Sequence, residues 1–199
     1  MKNKKKICVA INNRANYARV KSLLIEIKKK KNFELQILLG ASAILSRFGE
    51  LNHILKKDGF TKFEKIYSIV EGENLTTMAK STGLSIIETS TFFEKYRPDA
   101  VIVIADRFEN LSVAIAASYL NIPLIHIQGG EVTGSIDEKV RHSITKLSDI
   151  HFVATKRSRD FLIKMGENKR NVYLTGCPSI DIAYQAKSKL PKNFFKKNK

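Results

Sequence analysis

One segment of the sequence, HIQGGEVTGSIDEKVRH at 126–142, concentrates polar and ionisable side chains around a pair of glycines. It follows a short apolar run rich in β-branched residues, which predicts a buried strand, and it continues with apolar residues at helical spacing. A strand that ends in Gly129 and Gly130 and leads into a helix with acids in its first turn is typical of ligand sites in open α/β sheets. We therefore expect a binding site here.

The residues before the predicted helix differ in what they can do chemically. Gly129 and Gly130 permit close backbone approach or a positive φ, which favours a ligand site. Gln128 can form hydrogen bonds but cannot titrate, whereas Glu131 is ionisable. His126 alternates within the apolar strand, and we expect a buried core histidine rather than a catalyst.

The start of the predicted helix has both a structural and a chemical interpretation. Ser135 or Thr133 would cap the helix, and Glu138 would be the capping-box partner of Ser135, which would make Glu138 structural. His142 lies on the same helix face as Glu138. Its position fits a surface residue and a site residue equally well.

Asp137 and Arg141 lie one helical turn apart and therefore share a face of the same helix. They would form an ion pair within the helix, or both would line the cleft. An exposed pair of this kind stabilises a helix by only about 0.2–0.5 kcal/mol.

Two other predicted strands end in polar residues, and the carboxyl ends of parallel strands lie along one edge of a sheet. The first cluster is Asn12-Asn13-Arg14, with Tyr17 and Arg19 beyond it. Arg14 would hold a phosphate at a helix N-terminus, or it is an exposed arginine in a turn. The turn lacks the G-x-G-x-x-G pattern, so it does not predict an ordinary dinucleotide site.

The second cluster is Asp106-Arg107, at the end of the apolar run DAVIVIAD. Asp106 would be a usable acid or base if burial in a cleft raised its pKa, or it would only cap the following helix. Arg107 would either oppose that pKa shift or contact a ligand phosphate.

The elements that position these clusters alternate between strand and helix. Apolar, β-branched runs predict strands at 5–12, 34–42, 99–106 and 123–127, in the runs that begin at His151 and Asn171, and less clearly at 62–70. Helical patterns separate them, including 44–60 and a long segment at 71–97 in which Gly83 weakens the prediction of one continuous helix. Five or six successive βα units indicate an α/β fold with a doubly wound, Rossmann-like parallel sheet.

The composition limits the class of protein. At 199 residues, with 43% hydrophobic residues, the chain has room for one substantial domain. The net charge of +16 includes lysine clusters at both ends of the sequence that resemble solvated tails, so we expect no nucleic-acid partner. No apolar run reaches the roughly 20 residues of a membrane span, and a strand follows the lysine-rich start, which together predict a cytoplasmic protein without a membrane partner. Cys8 and Cys177 lack metal-site spacing and indicate reduced thiols.

Long stretches of the sequence resemble a known family. NRANYARVKSL, the run from IADRF to HFVAT with its motifs DRF, HI-x-GGE and DE-x-x-RH-x-I-TK, and LTGCPSID are similar to the hydrolysing UDP-N-acetylglucosamine 2-epimerases of sialic and legionaminic acid biosynthesis. The resemblance covers residues 5 to about 184. It implies one half of a GT-B-type fold, with 1–186 as the N-terminal Rossmann-like domain. Residues 187–199 would be a disordered basic tail, and the C-terminal nucleotide-binding domain would be absent.

The resemblance also implies a reaction. In that family a base removes the C2 proton of the nucleotide sugar, the nucleotide leaves by anti elimination, and water adds to give the free 2-epimer, without a cofactor or a metal. Asp106 and Asp137 match acidic active-site positions, and Gln128 stands where many relatives have a glutamate. Because Gln cannot transfer a proton, either this position is not essential in this branch or activity is impaired. The substrate-binding residues implied are Arg14, Arg107, Gly129, Gly130, Glu131, Arg141 and His142.

The implied ligand is a UDP-sugar. The implied protein partner is a second copy of the chain or a separately encoded C-terminal half, and the chain alone is expected to be inactive. Two alternatives remain: one half of a GT-B-type glycosyltransferase, which would need an acceptor, and a non-catalytic truncated or binding product.

Overall fold

The chain folds around a sheet in which every strand is parallel to its neighbours. The computed structural model describes residues 4–185, and the strand order is β3-β2-β1-β4-β5-β6-β7. The strands are Lys5–Ile11 (β1), Phe33–Leu39 (β2), Glu64–Lys65 (β3), Ala100–Ile104 (β4), Leu124–Ile127 (β5), Ile150–Val153 (β6) and Val172–Leu174 (β7). The α-helices are Arg14–Lys29 (α1), Leu51–Lys57 (α2), Leu75–Tyr96 (α3), Phe108–Tyr119 (α4), Ile136–Leu147 (α5), Lys156–Lys164 (α6) and Pro178–Gln185 (α7).

The central strand β1 shows that helices cover both faces of the sheet. Side chains of a strand alternate between its two faces. Val9 and Ile11 belong to an apolar cluster with α1 and α2, whereas Cys8 and Ala10 belong to a second cluster with α3, α4 and α5. All four residues are at most 1% exposed. The predicted doubly wound α/β fold is confirmed.

Three predicted elements differ from the structure in extent. The weak strand candidate at 62–70 contributes only β3, which lies at the edge of the sheet and pairs with β2 alone. The segment 44–60 forms short 3-10 turns before α2 instead of one helix. Gly83 does not interrupt α3, because this helix is nucleated by a capping box between Asn74 and Thr77 and packs along α4.

The strand order reverses its direction between β1 and β4. In open α/β sheets the carboxyl ends of the strands separate at such a switch point and leave a crevice for ligands. Buried amides join the two strand ends here. Asn12 Nδ2 donates to Asn110 Oδ1 at 2.8 Å, and Asn110 Nδ2 donates to the Ile104 carbonyl at 2.6 Å. The floor of the crevice is therefore fixed by side chains as well as by the sheet.

Other expectations concern the chain as a whole. Both cysteines are free, with Cys8 buried and Cys177 half-buried. Within residues 4–185 no helix has the length and apolar character that a membrane crossing requires. Nor do three His, Cys, Asp or Glu side chains of this range gather as they would around a metal ion. The predicted basic tail at 187–199 lies outside the described residues.

Candidate active site

A cavity of about 1000 Å³ opens at the switch point, between the loops that follow β1, β2 and β4 and the segment that leads into α3. This volume is at the upper end of the range for small-molecule sites. Its lining combines apolar side chains with four arginines and four acids, namely Arg14, Arg19, Arg47, Arg107, Glu71, Glu73, Asp106 and Glu109. Positively and negatively charged side chains thus line the same partly apolar cavity.

Arg14 is the first residue of α1, and its exposed side chain reaches the segment before α2. Nε and Nη2 donate to the Gly49 carbonyl at 3.1 and 2.8 Å. Asn13 caps the helix by accepting from the Asn16 N–H at 2.7 Å. A helix N-terminus and a guanidinium at the same wall provide positive charge for an anion such as a phosphate.

Asp106 forms an ion pair with Arg141, which reaches it from α5. The Arg141 side chain is only 2% exposed, whereas that of Asp106 is 21% exposed. Arg141 also donates from Nη1 to the Glu131 carbonyl and lies 3.5 Å from Thr133 Oγ1. A guanidinium stays charged, so its burial requires these acceptors. One of the two alternatives for Arg141, pairing with Asp137 inside the helix, is thus replaced by a pair between two elements.

This burial favours a role for Arg141 in holding Asp106 over the predicted direct contact with a substrate. The alternative prediction that Asp106 only caps the next helix is wrong, because the N-cap of α4 is Arg107. Asp106 is therefore held by a tertiary contact at the rim of the cavity.

Arg107 contacts Glu109 and lies within electrostatic range of Asp106 and Asp137. Its Nε lies 3.3 Å from Oε2 of Glu109, whose side chain is buried. Partial burial lowers the pKa of Arg107, but the charges of Glu109, Asp137 and Asp106 outweigh this effect and raise the pKa above its ordinary value. Asp106 and Asp137, from different elements, thus share the field of Arg107. The sequence predicted both acids, and the structure brings them to the same side of the sheet.

His126 is fully buried between β4 and α5. Its Nε2 lies 3.0 Å from the Ala105 carbonyl and its Nδ1 lies 3.1 Å from Thr145 Oγ1. A carbonyl only accepts, so Nε2 carries the proton and Nδ1 accepts from the threonine hydroxyl. Burial lowers the pKa of His126 to about 4, which keeps the ring neutral. The expected core histidine is confirmed.

This buried histidine predicts a pH dependence of stability. The unfolded chain binds a proton at this ring near pH 6.5, whereas the folded chain binds one only near pH 4. The stabilisation that the neutral ring gives the fold is therefore fully present above pH 6.5. The free energy of unfolding falls by about 3 kcal/mol in total as the pH drops from there to 4. Urea unfolding of the wild type and of His126→Gln between pH 7 and 4 measures the difference. Equal slopes for the two proteins would contradict the prediction.

Gln128 directly follows β5 with a φ of +64°, and its side chain is buried. Nε2 lies 3.2 Å from Cys177 Sγ, and Oε1 has no hydrogen-bond partner among residues 4–185. Buried amide oxygens normally have a partner. The amide therefore has a buried acceptor without a partner in this range, and it has no proton to transfer.

The two glycines are required by packing against the helices. A Cβ on Gly129 would lie 3.0 Å from both His126 Nδ1 and Thr145 Oγ1, and a Cβ on Gly130 would lie 2.5 Å from the Ser158 carbonyl oxygen. Gly130 also has a φ of +80°. The close backbone approach that the sequence predicted is thus to α5 and α6.

The loop after the glycines, residues 131–135, is tied to α5. Glu138 accepts from the backbone N–H groups of Thr133 and Gly134 at 2.7 and 2.6 Å, which lowers its pKa. Ser135 is the N-cap, but its side chain makes no capping bond within the described part of the chain, so the expected capping box is wrong. Glu138 reaches past Ser135 because the loop folds back over the first turn. The structural interpretation of Glu138 fits this arrangement.

His142 packs against α6 and is not part of the cavity lining. Its ring packs 5.2 Å from that of Phe161, and its Nε2 lies 3.6 Å from Glu138 Oε1. Among the predicted site residues, the cavity is lined by Arg14, Asp106 and Arg107. The other predicted site residues lie outside the lining, namely Gln128, Gly129, Gly130, Glu131, Asp137, Arg141 and His142.

The sequence profile of the UDP-N-acetylglucosamine 2-epimerases matches residues 25–199. The chain belongs to this family.

Relatives with assigned activities agree with this membership. The chain is 35% identical over 184 residues to the hydrolysing UDP-N,N'-diacetylbacillosamine 2-epimerase of Legionella pneumophila, with 92% of this chain and 49% of that protein covered. It is 34% identical to the hydrolysing GDP/UDP-N,N'-diacetylbacillosamine 2-epimerase of Campylobacter jejuni, with 87% and 45% covered. The chain thus spans about half the length of the curated relatives it matches. The predicted family and the prediction of a half-length match are confirmed.

Solved structures agree on the fold. A crystal structure of a UDP-N-acetylglucosamine 2-epimerase superposes with a TM-score of 0.83 at 22% identity, covering 95% of this chain and 53% of that one. The Neisseria meningitidis enzyme, bound to UDP-GlcNAc, superposes with a TM-score of 0.80 at 22% identity, covering 96% and 52%. At this identity the likeness shows the fold alone, one Rossmann-like half of a GT-B-type architecture.

Two buried polar residues at the candidate site were not predicted from the sequence. Glu109 pairs with Arg107, and Asn110 bridges β1 and β4 from the first turn of α4. Both are at most 4% exposed. The signal that could have found them was their polarity at the start of a helix that is otherwise built from small apolar residues.

Proposed function

We propose that this chain supplies the N-terminal half of a hydrolysing nucleotide-sugar 2-epimerase. The observation that carries the proposal is that Asp106, Arg107 and Arg14 line one cavity, with Asp137 close enough to Arg107 for its charge to raise the pKa of that guanidinium. This arrangement combines two carboxylates for proton transfer with positive charge for a leaving diphosphate.

The proposed substrate is a UDP-activated 2-acetamido sugar. A base removes the proton from C2, the C1–O bond to UDP breaks, and a 2-acetamidoglycal forms. Water then adds its hydroxyl to C1 and a proton returns to C2 from the opposite face, which gives the free 2-epimer. With UDP-N-acetylglucosamine the product is N-acetylmannosamine, a precursor of sialic acid; with a 2,4-diacetamido-6-deoxy sugar it leads toward legionaminic-type acids.

The residues have distinct proposed roles in this reaction. Asp106 and Asp137 exchange protons with the sugar, and Arg107 stabilises negative charge between them. Arg14 and the N-terminus of α1 contact the diphosphate. Gln128, whose side chain is buried outside the cavity lining, transfers no proton. No cofactor or metal takes part in the proposed reaction.

The proposed organisation places one domain in residues 1–186 of this chain. The opposing wall of the cleft comes from a C-terminal half, because the chain spans about half of its relatives. That half is encoded in the same reading frame or separately, and the whole enzyme pairs with a second copy. A cytoplasmic location is part of the proposal and is favoured by the two free thiols.

The decisive experiment measures UDP release from UDP-N-acetylglucosamine and UDP-N,N'-diacetylbacillosamine without any acceptor. The chain is assayed alone and together with a C-terminal half taken from a relative. We expect release only by the pair, with one deuterium at C2 of the product in D₂O. No release from either sugar nucleotide by the pair would sink the proposal. Release that requires an acceptor would favour the glycosyltransferase alternative, and binding without turnover would favour the non-catalytic one.

A further inference from the structure

Two neighbouring strands end in an unusual backbone conformation at the candidate site. Ala105 after β4 has a φ of +65° and Gln128 after β5 has a φ of +64°. For residues other than glycine such angles are strained and persist only where the surroundings enforce them. Ala105 directly precedes Asp106, so whatever enforces its conformation also sets the direction in which that carboxylate leaves the backbone.

The contacts that enforce the turn at Ala105 come from three directions. Its N–H donates to the Ile127 carbonyl at 3.0 Å. The preceding carbonyl, that of Ile104, accepts from Asn110 at 2.6 Å. The Ala105 carbonyl, which belongs to the peptide that links it to Asp106, accepts from His126 Nε2 at 3.0 Å. Of these contacts, the one from His126 acts on the peptide next to the carboxylate.

The imidazole is held in the form that this contact needs. Thr145 is fully buried and its hydroxyl faces Nδ1, which leaves the proton on Nε2. Gly129 crosses so close over the pair that a Cβ would lie 3.0 Å from Nδ1 and from Thr145 Oγ1. The ring can neither rotate freely nor reach the cavity. It therefore cannot touch a substrate, although it lies one peptide away from Asp106.

We propose that His126 is a positioning residue: as a fixed Nε2–H donor to the Ala105 carbonyl, it maintains the strained turn that aims the Asp106 carboxylate at the substrate. The proposal rests on the proposed function only for its kinetic consequence. The structural part, that His126 holds Ala105 and Asp106, stands independently of the reaction.

The kinetic test uses the full chain paired with a C-terminal half. His126→Met fills a similar volume without a donor, and His126→Gln places an amide N–H at a similar reach. Because a misplacement of about 1 Å costs on the order of 100-fold in rate, we expect His126→Met to lower kcat by about 100-fold with little change in KM, and His126→Gln to stay within about tenfold of the wild type. A rate lost equally in both variants would overturn the proposal.

His151 provides the matched control. It is the register partner of His126 on β6 and is equally buried, but it contacts Glu167 at 3.2 Å, away from Asp106. His151→Met should lower stability without lowering kcat of the folded enzyme. If His151→Met reduced kcat as much as His126→Met, the effect would be general destabilisation and the proposal would fail.

A second measurement separates this inference from the proposed function. Crystal structures and ¹⁵N NMR of the full chain require no activity. We expect an Nε2–H tautomer of His126 at neutral pH, and in His126→Met a relaxed φ at Ala105 with Asp106 displaced from Arg141. An unchanged Ala105 and Asp106 in that variant would overturn the inference even if the enzyme is active. Inactivity of the wild-type pair would count against the proposed function alone.

Discussion

Asp106→Asn should lower the free energy of unfolding by about 3–5 kcal/mol, because it leaves the buried guanidinium of Arg141 without its anionic partner. An amide can still accept one hydrogen bond, but it cannot neutralise the charge. A loss of activity in this variant therefore does not by itself show that Asp106 transfers a proton. Urea unfolding of the wild type and the variant at pH 7 measures the cost.

The control for this prediction is the same substitution in an Arg141→Met background. Without the buried cation, Asp106→Asn should cost less than about 1 kcal/mol, because the carboxylate is partly solvated and the amide is of equal size. The two costs differ by the coupling energy of the pair. If Asp106→Asn is equally costly in both backgrounds, the ion pair does not stabilise the fold, and the assignment of Arg141 as the partner of Asp106 is wrong.

Gly130→Ala is expected to be the second most damaging single substitution at the site. The new Cβ would lie 2.5 Å from Leu162 Cδ1 and 2.5 Å from the backbone oxygen of Ser158, at a φ of +80°. Overpacking and left-handed strain together should cost about 3 kcal/mol or more. The Ser158 oxygen belongs to the backbone of α6 and cannot move by itself. To accommodate the methyl group, the whole of α6 would have to move away from β5, which costs stability. Thermal and urea unfolding both report this loss.

Gly134→Ala is the matched control for strain without overpacking. Gly134 has a similar φ of +72°, but within the described part of the chain nothing lies within 4 Å of the position that an added methyl group would take. It should cost only about 1–2 kcal/mol. If Gly130→Ala and Gly134→Ala destabilise equally, packing against α6 does not explain the glycine at 130.

The order of the elements could be predicted from the sequence because buried parallel strands are continuous apolar runs. KICVAI and AVIVI are such runs, and both form strands at the predicted places. The edge strand β3 was uncertain for the corresponding reason, since an edge has one neighbour and tolerates an irregular pattern. Asp106 could be selected as a candidate because it follows a buried strand at the carboxyl edge, whereas the active-site role of Asp137 was implied by the family resemblance.

The partner of Arg141 could not be predicted, because helical spacing reports only neighbours on the same helix. That spacing offered Asp137 as a partner, whereas the long arginine side chain reaches the loop after β4 and pairs with Asp106. The contact depends on how the loop at 131–135 folds back over α5, which no local pattern specifies. The proposed role of His126 could not be predicted for the same reason. Its burial was predictable from the alternation of the strand, but its hydrogen bond to Ala105 depends on the pairing of β4 with β5.

The strand order also has a consequence for the way the chain acquires its structure during synthesis. β1 pairs on one side with β2, which follows it closely, and on the other side with β4, where Ile7 faces Ala100. Until the ribosome has released β4, one edge of an almost wholly apolar strand has no neighbour. Unpaired apolar edges promote aggregation, and contacts distant in sequence form slowly. We therefore expect nascent chains that end before residue 100 to depend on chaperones, and those that include β4 to depend on them less.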